Sequence, residues 1–218
     1  MLSRYGLRVA TEGVAMVHNL VLGAFTMVGS GVDNWVDGRE QRRYTPYHIR
    51  HRTEVAGMMT ILHGDNRFYN NIFVQGHPIT NEEPKESPFY QQVGTHVWDE
   101  YPTYKEWIAK FDMEEEKPDM GKLEPAHFSH LPVWADGNVY LAGAKAWKKE
   151  KHNLVKDDAD VQIELVEEDG QYRLSTNLYD YLDGFTTGII NSDVLGKAFE
   201  PEQRFEERDG SDLSLIHI

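Results

Sequence analysis

The sequence predicts an all-β fold: a parallel β-helix of short stacked strands, with long inserted loops and a terminal antiparallel β-hairpin. Three observations lead there. Asn19-Leu20-Val21-Leu22-Gly23, Asn71-Ile72-Phe73-Val74-Gln75-Gly76 and Asn138-Val139-Tyr140-Leu141-Ala142-Gly143 repeat one pattern, an asparagine, apolar or aromatic residues, then a glycine. Each follows another short apolar stretch, at Gly13–Val17, Gly57–Leu62 and Leu131–Trp134. Late in the chain, strict apolar/polar alternation replaces this pattern.

The repeated stretches are too short and too rich in Gly and Asn to make good helices. One coil of a solenoid cannot bury its inward side chains alone, so repeats of this kind stack. Asparagine suits the bends because it tolerates left-handed backbone and its amide bonds to nearby main chain. The string His63-Gly64-Asp65-Asn66-Arg67-Phe68-Tyr69-Asn70-Asn71-Ile72-Phe73 places two Asn-led strands about one bend apart. Ordinary hairpins in an antiparallel sheet would give the same spacing, and the pattern alone leaves both open. Between the repeats, Ser30–Thr53 is polar and Arg-rich, and Pro78–Ser129 carries the acidic run Glu114-Glu115-Glu116. Tyr104, Trp107, Ile108 and Phe111 fall at helical spacing after Pro102 and Thr103, which predicts a short amphipathic helix over Thr103–Asp112. Loops this long are usually functional. Val161, Ile163 and Leu165 alternate into a Glu168-Asp169-Gly170 turn, and Tyr172, Leu174 and Thr176 alternate out of it. This reads as a hairpin capping the last coil, whose edge would otherwise invite aggregation.

Composition excludes several functions. The 218 residues are 40% hydrophobic and 11% aromatic, enough for a packed core. Lysine and arginine total 22 against 36 acidic residues, and the net charge of −14 disfavours nucleic acid as a partner. The absence of cysteine rules out disulfides, zinc ribbons and thiol nucleophiles. No apolar run approaches the roughly 20 residues that cross a bilayer, so no membrane association is expected. Gly13–Val28, the nearest case, is broken by His18 and Asn19.

The constellation best suited to ligand contact is Arg43, Tyr47, His48, His51 and Glu54. It offers hydroxyl-matching donors and acceptors beside aromatic faces, as a sugar site requires. Two other readings stay open: structural hydrogen bonding, and a metal site using His48, His51 and Glu54 at i, i+3, i+6. Thr45-Pro46 and the surrounding polarity argue against the helix that the metal site needs, and neither metal nor cofactor is expected. His18 and His63 flank predicted strands as structural histidines. Trp35, Trp98 and Trp107 are either sugar platforms or packing residues. Glu12 enters a predicted core strand, where a carboxylate at a strand start is the simpler reading.

Arg43-Tyr44-Thr45-Pro46-Tyr47-His48, His51-Arg52-Thr53-Glu54-Val55-Ala56-Gly57 and Gly64-Asp65-Asn66-Arg67-Phe68-Tyr69-Asn70-Asn71-Ile72-Phe73 resemble glycoside hydrolase family 120. These are β-xylosidases built on a right-handed parallel β-helix. Glu12–Leu20, Leu131–Leu141 and Leu195-Gly196-Lys197-Ala198 extend the resemblance, which runs from about Gly6 to Asp212. It implies that residues 1–154 are C-terminal coils with insertions at about 30–53 and 78–129. Residues 155–212 would then form the antiparallel cap. Leu213–Ile218 resembles the translated end of a transposon sequence used in DNA library preparation and is expected to be an artefact.

The resemblance further implies a retaining glycosidase with an aspartate nucleophile and a glutamate acid/base, acting on xylo-oligosaccharide or a related carbohydrate. Both carboxylates would lie on coils before the Glu12–Gly23 segment. No glutamate shortly before a His-Gly-Pro occurs here, and His77-Pro78 is a different context. No catalytic residue is therefore assigned, and the chain alone is expected to be inactive. A polysaccharide lyase or a non-catalytic carbohydrate-binding β-helix are the rival expectations.

Overall fold

The structure, a computed structural model, describes residues 4–26, 35–36, 39–40, 44–48, 53–80, 91–111, 120–182 and 184–196. Strand β1 (Tyr5–Arg8) precedes the first full pass of the chain, which holds β2 (Ala15–Val17), β3 (Leu20–Val21) and β4 (Ala24–Thr26), with β4 pairing in parallel with β1. Within the first insertion lie β5 (Trp35–Val36), β6 (Arg39–Glu40), β7 (Tyr44–His48) and β8 (Val55–Thr60). The second pass holds β9 (Asn66–Tyr69) and β10 (Ile72–Val74), the third β11 (Val133–Asp136) and β12 (Asn138–Leu141), and β13 (Asn153–Lys156) opens a fourth. A terminal hairpin, β14 (Ile163–Glu168) and β15 (Gln171–Thr176), follows. Three α-helices, α1 (Tyr104–Ile108), α2 (Met120–His127) and α3 (Ser192–Leu195), and two 3-10 turns, His96–Trp98 and Leu178–Tyr181, complete the described elements.

Strands of successive passes stack in parallel. One sheet runs β2-β9-β11, and a second runs β3-β10-β12-β13. Register aligns Met16, Phe68 and Ala135 in the first and Val21, Phe73 and Tyr140 in the second. These side chains point inward and, with Phe25 and Trp98, make an aromatic core. Phe73 and Tyr140 stack at 5.1 Å and 8°, and Phe68 sits 4.5 Å from Trp98. Trp98 is fully buried, which removes it as a sugar platform. The opposite face of the second sheet is also covered, since Val74, Val139 and Leu141 pack with Leu178, Leu182 and Phe185. Burial on both faces explains why these strands read as unbroken apolar runs.

The three repeat asparagines have a different role from the one expected. The left-handed residues are those just before them, His18 (φ 57°), Asn70 (φ 54°) and Gly137 (φ 69°). Asn19, Asn71 and Asn138 instead form a ladder through the coils. Asn19 Nδ2 donates to Asn71 Oδ1 at 3.1 Å, and Asn71 Nδ2 donates to Asn138 Oδ1 at 2.9 Å. Each oxygen also accepts the backbone amide of the asparagine in the previous pass. The remaining amide hydrogens go to Met16 O from Asn71 and to Phe68 O from Asn138. All four bonding positions of both inner amides are thus used, as a buried amide requires.

Glu150 ends the ladder. Its Oε1 accepts from Asn138 N and Nδ2, standing where the next asparagine oxygen would be, and its Oε2 accepts from Tyr140 Oη at 2.6 Å. A carboxylate has no hydrogen to hand on, so the series stops. Burial pushes the Glu150 carboxyl above its ordinary value, against the hydrogen bonds from Tyr140 and Asn138. The sign follows directly: a raised native pKa contributes stability below the ordinary carboxylate range that is lost as pH rises through the native value. Glu150→Gln keeps an acceptor for Asn138, so its stability is expected to fall less than wild type between pH 4 and neutral. Parallel unfolding curves for the two proteins across that window would refute this.

Other expectations shift in detail. Gly57–Leu62 does not supply the first strand of the second pass, and most of it belongs to β8, paired antiparallel with β7. The strand that fills the place is β9, the first of the two Asn-led strands expected in the His63–Phe73 string, where Phe68 is the inward apolar residue. The first insertion accordingly continues to Thr60. The predicted helix is α1, with Thr103 as N-cap and a capping box to Glu106, and Asp112 lies outside the described residues. The hairpin turns through Asp169 (φ 52°) and Gly170 (φ 75°), the pair of positive φ values that a two-residue turn needs. Val161 and Ile163 at its root pack beside Leu154, whereas Leu165, Tyr172 and Leu174 are exposed. Residues 213–218 lie outside the described residues.

Candidate functional site

Strand alternation decides which side chains leave the core. On β9 Phe68 faces inward, so Arg67 and Tyr69 face outward, and on β11 the same parity sends out Trp134 and Asp136. Register places Arg67 beside Trp134 and Tyr69 beside Asp136. Over this outer face lie Tyr104 of α1 and the segment ending in α3. Leu195 and Ile190 pack on Tyr69, and Leu195 O accepts from Arg67 Nε.

A groove remains between these covers. A cavity of about 260 Å³ is lined by Arg67, Tyr69, Tyr104, Trp134 and Val194–Gly196. A second, of about 460 Å³, shares Tyr69, Tyr104 and Trp134 and adds Asp136, Trp147 and three lysines, Lys105, Lys149 and Lys151.

The aromatic wall is held in place. Arg67 is buried, its Nη1 2.6 Å from Asp65 Oδ1 and 2.7 Å from Asp65 O, with Cζ 4.4 Å from the centre of the Trp134 ring. The ion pair fixes the guanidinium, and the cation–π contact fixes the indole. Tyr104 lies nearly parallel to Trp134, at 6.5 Å and 23°. Burial pushes the Tyr69 phenol above its ordinary value, with Arg67 opposing and Asp136 adding, so at neutral pH the hydroxyl keeps its proton. Lys149 Nζ donates to Glu106 Oε2 at 2.7 Å and to Tyr101 O at 2.8 Å, tying α1 to the third pass. That bond, followed by the one from the Thr103 amide, holds the Glu106 carboxyl at about 2.

Aromatic faces beside hydroxyl, ammonium and carboxylate groups are what saccharide recognition uses. Asp136 is the one carboxylate among the described lining residues. A retaining mechanism requires two carboxyls roughly 5–5.5 Å apart. The groove as described therefore holds recognition chemistry without that pair. Among the described residues no group of three His, Asp or Glu side chains is arranged to hold a metal ion.

The expected constellation is only partly in view. Arg43 and His51 lie outside the described residues. Tyr47 and His48 sit on β7, their backbones opposite Gly57 and Val55, with a register irregularity between them. Residue 48 is thus in a strand, which removes the helical spacing that a metal reading needed. Glu54 is an exposed bend residue just before β8. Trp35 is on β5, and Trp107 packs with Phe128 against Leu62 and Leu131. His18 and His63 take left-handed bends, with His63 buried and its carbonyl accepting from Leu131 N at 2.8 Å. Glu12 Oε2 accepts the Leu62 amide at 2.9 Å, a structural contact.

Arg67, Tyr69 and Trp134 were absent from that constellation although they lie inside the stretches that carry the family resemblance. Alternation would have put Arg67 and Tyr69 on one side of a strand. Which side faces solvent depends on α3, more than 120 residues away.

No family model matches the sequence, and no curated protein matches it. Among solved structures, the chain is similar to one described as the complex structure of XylC with xylose, with a TM-score of 0.75 and 30% sequence identity. The similarity covers 97% of this chain and 29% of that one, so the chain spans less than a third of that protein's length. At that similarity this chain, mostly β with parallel sheets, shares the fold of the corresponding part of that protein.

Proposed function

We propose that this chain is part of a xylose-active glycoside hydrolase of the retaining β-xylosidase type, built as a right-handed parallel β-helix. The observation that carries the proposal is the 30% identity over 97% of the chain to a protein solved with xylose. The stacked parallel passes, the asparagine ladder and the aromatic groove support it. In this reading the groove contacts saccharide, and the reacting carboxylates belong to the part of the parent protein that these 218 residues do not span. The insertion bearing Arg43, Tyr47, His48, His51 and Glu54 takes a substrate-side role, and residues 155–212 close the stack.

Two measurements on the purified chain test this. Xylotriose is expected to perturb the NMR signals of Trp134 and Tyr104, and Trp134→Ala should weaken its binding by about 10-fold, the scale of one lost stacking contact. Aryl β-xylosides should not be turned over. Turnover that a single carboxylate substitution abolishes would place the reacting pair in this chain and overturn that part of the proposal. Xylotriose binding that ignores Trp134 would remove the groove from it.

A further inference from the structure

We infer that the outer-face groove is built for an acidic saccharide, a xylose chain carrying a uronic-acid substituent. This rests on the reading of the groove as a saccharide site. Three ammonium groups, from Lys105, Lys149 and Lys151, line the wider cavity against one carboxylate, Asp136. Lys149 is committed to Glu106 at 2.7 Å. Asp136 has His152 Nδ1 as its neighbour, at 3.3 Å. Lys105 and Lys151 are exposed and form no ion pair among the described residues. Counting Glu106, which pairs with Lys149 without lining the cavity, the described residues set three lysines against two carboxylates, an excess of one positive charge.

That sign runs against the whole chain, whose net charge is −14. A neutral pentose needs dipolar partners and aromatic faces, and Tyr69, Tyr104 and Trp134 supply them. It gives no reason for two further ammonium groups at the rim that form no ion pair among the described residues. A carboxylate on the sugar does, because each lysine then gains a partner while the ring keeps its stacking surface. Exposed lysines attract through screened charge, so the preference must weaken with salt.

The chain is titrated by calorimetry with xylotetraose, with xylotetraose bearing one glucuronic acid, and with a hexaglutamate peptide. At low ionic strength the acidic oligosaccharide is expected to bind about 5- to 10-fold tighter than the neutral one, the scale of two exposed charge contacts. The advantage should shrink at 0.5 M salt, and Lys105→Gln/Lys151→Gln should erase it. Lys156→Gln, outside the groove, should keep it. Equal affinity for the two saccharides overturns the inference and leaves the groove a neutral-sugar site. Hexaglutamate binding as tightly as the acidic saccharide overturns it in favour of unselective charge attraction. Failure of both saccharides to bind overturns the groove reading itself.

Discussion

Replacing Asn71 with aspartate is expected to destabilise the fold by roughly 3–5 kcal/mol, the scale for leaving buried partners unpaired around a new charge. Asn71 is fully buried and uses every bonding position. Aspartate keeps the size and both acceptors but removes both amide hydrogens. Met16 O and Asn138 Oδ1 then face an oxygen instead of a donor. With no cavity created, the loss reports the broken ladder bonds together with the buried charge. At about 2–4 °C per kcal/mol for a chain of this size, the thermal midpoint should fall by roughly 6–20 °C. Asn153→Asp is the control, because Asn153 Nδ2 makes one long bond, 3.3 Å to Glu150 O, at the edge of the stack. Denaturant unfolding of the two variants decides it: equal losses would mean that the ladder contributes nothing special.

A comparable loss, about 2–5 kcal/mol, is expected for Gly64→Ala, combining left-handed backbone strain with overpacking against main chain. Gly64 has φ +94°, and a Cβ there would stand 2.2 Å from Leu131 O and 2.7 Å from its carbonyl carbon. Main chain cannot swing aside as a side chain does, so the second and third passes would have to separate. Gly170→Ala isolates the two causes. Its φ is +75° but nothing lies within 4 Å of the added methyl, so only the conformational part remains. A Gly64→Ala loss no larger than that of Gly170→Ala, by thermal unfolding, would show that the passes yield freely.

Much of the architecture was legible because its cause is local. The Asn-led strands Leu20–Val21, Ile72–Val74 and Asn138–Leu141 lie where the repeat put them. Thr103 and Glu106 make the helix start that their spacing implied, and Asp169-Gly170 turns the hairpin. The asparagines were right in place and wrong in role. A bend residue and a ladder residue are both polar, small and periodic, and only the neighbouring pass distinguishes them. The strand Asn66–Tyr69 also lies where its leading asparagine put it, but the surroundings of its outward face were not legible. Its outward Arg67 is neutralised by Asp65, two residues away, but buried by Leu195, a partner that no local window contains.

The sequence by itself determined that the chain is a β protein of stacked short strands, acidic, without cysteine chemistry, and carrying stretches that resemble a xylosidase family. Periodicity and composition act over a few residues or over the whole chain, and both survive without coordinates. The tertiary structure alone decided that a groove forms on the outer face. Arg67, Tyr104, Trp134 and Leu195 come from four separated segments, and a groove exists only once register and packing set their side chains on one face.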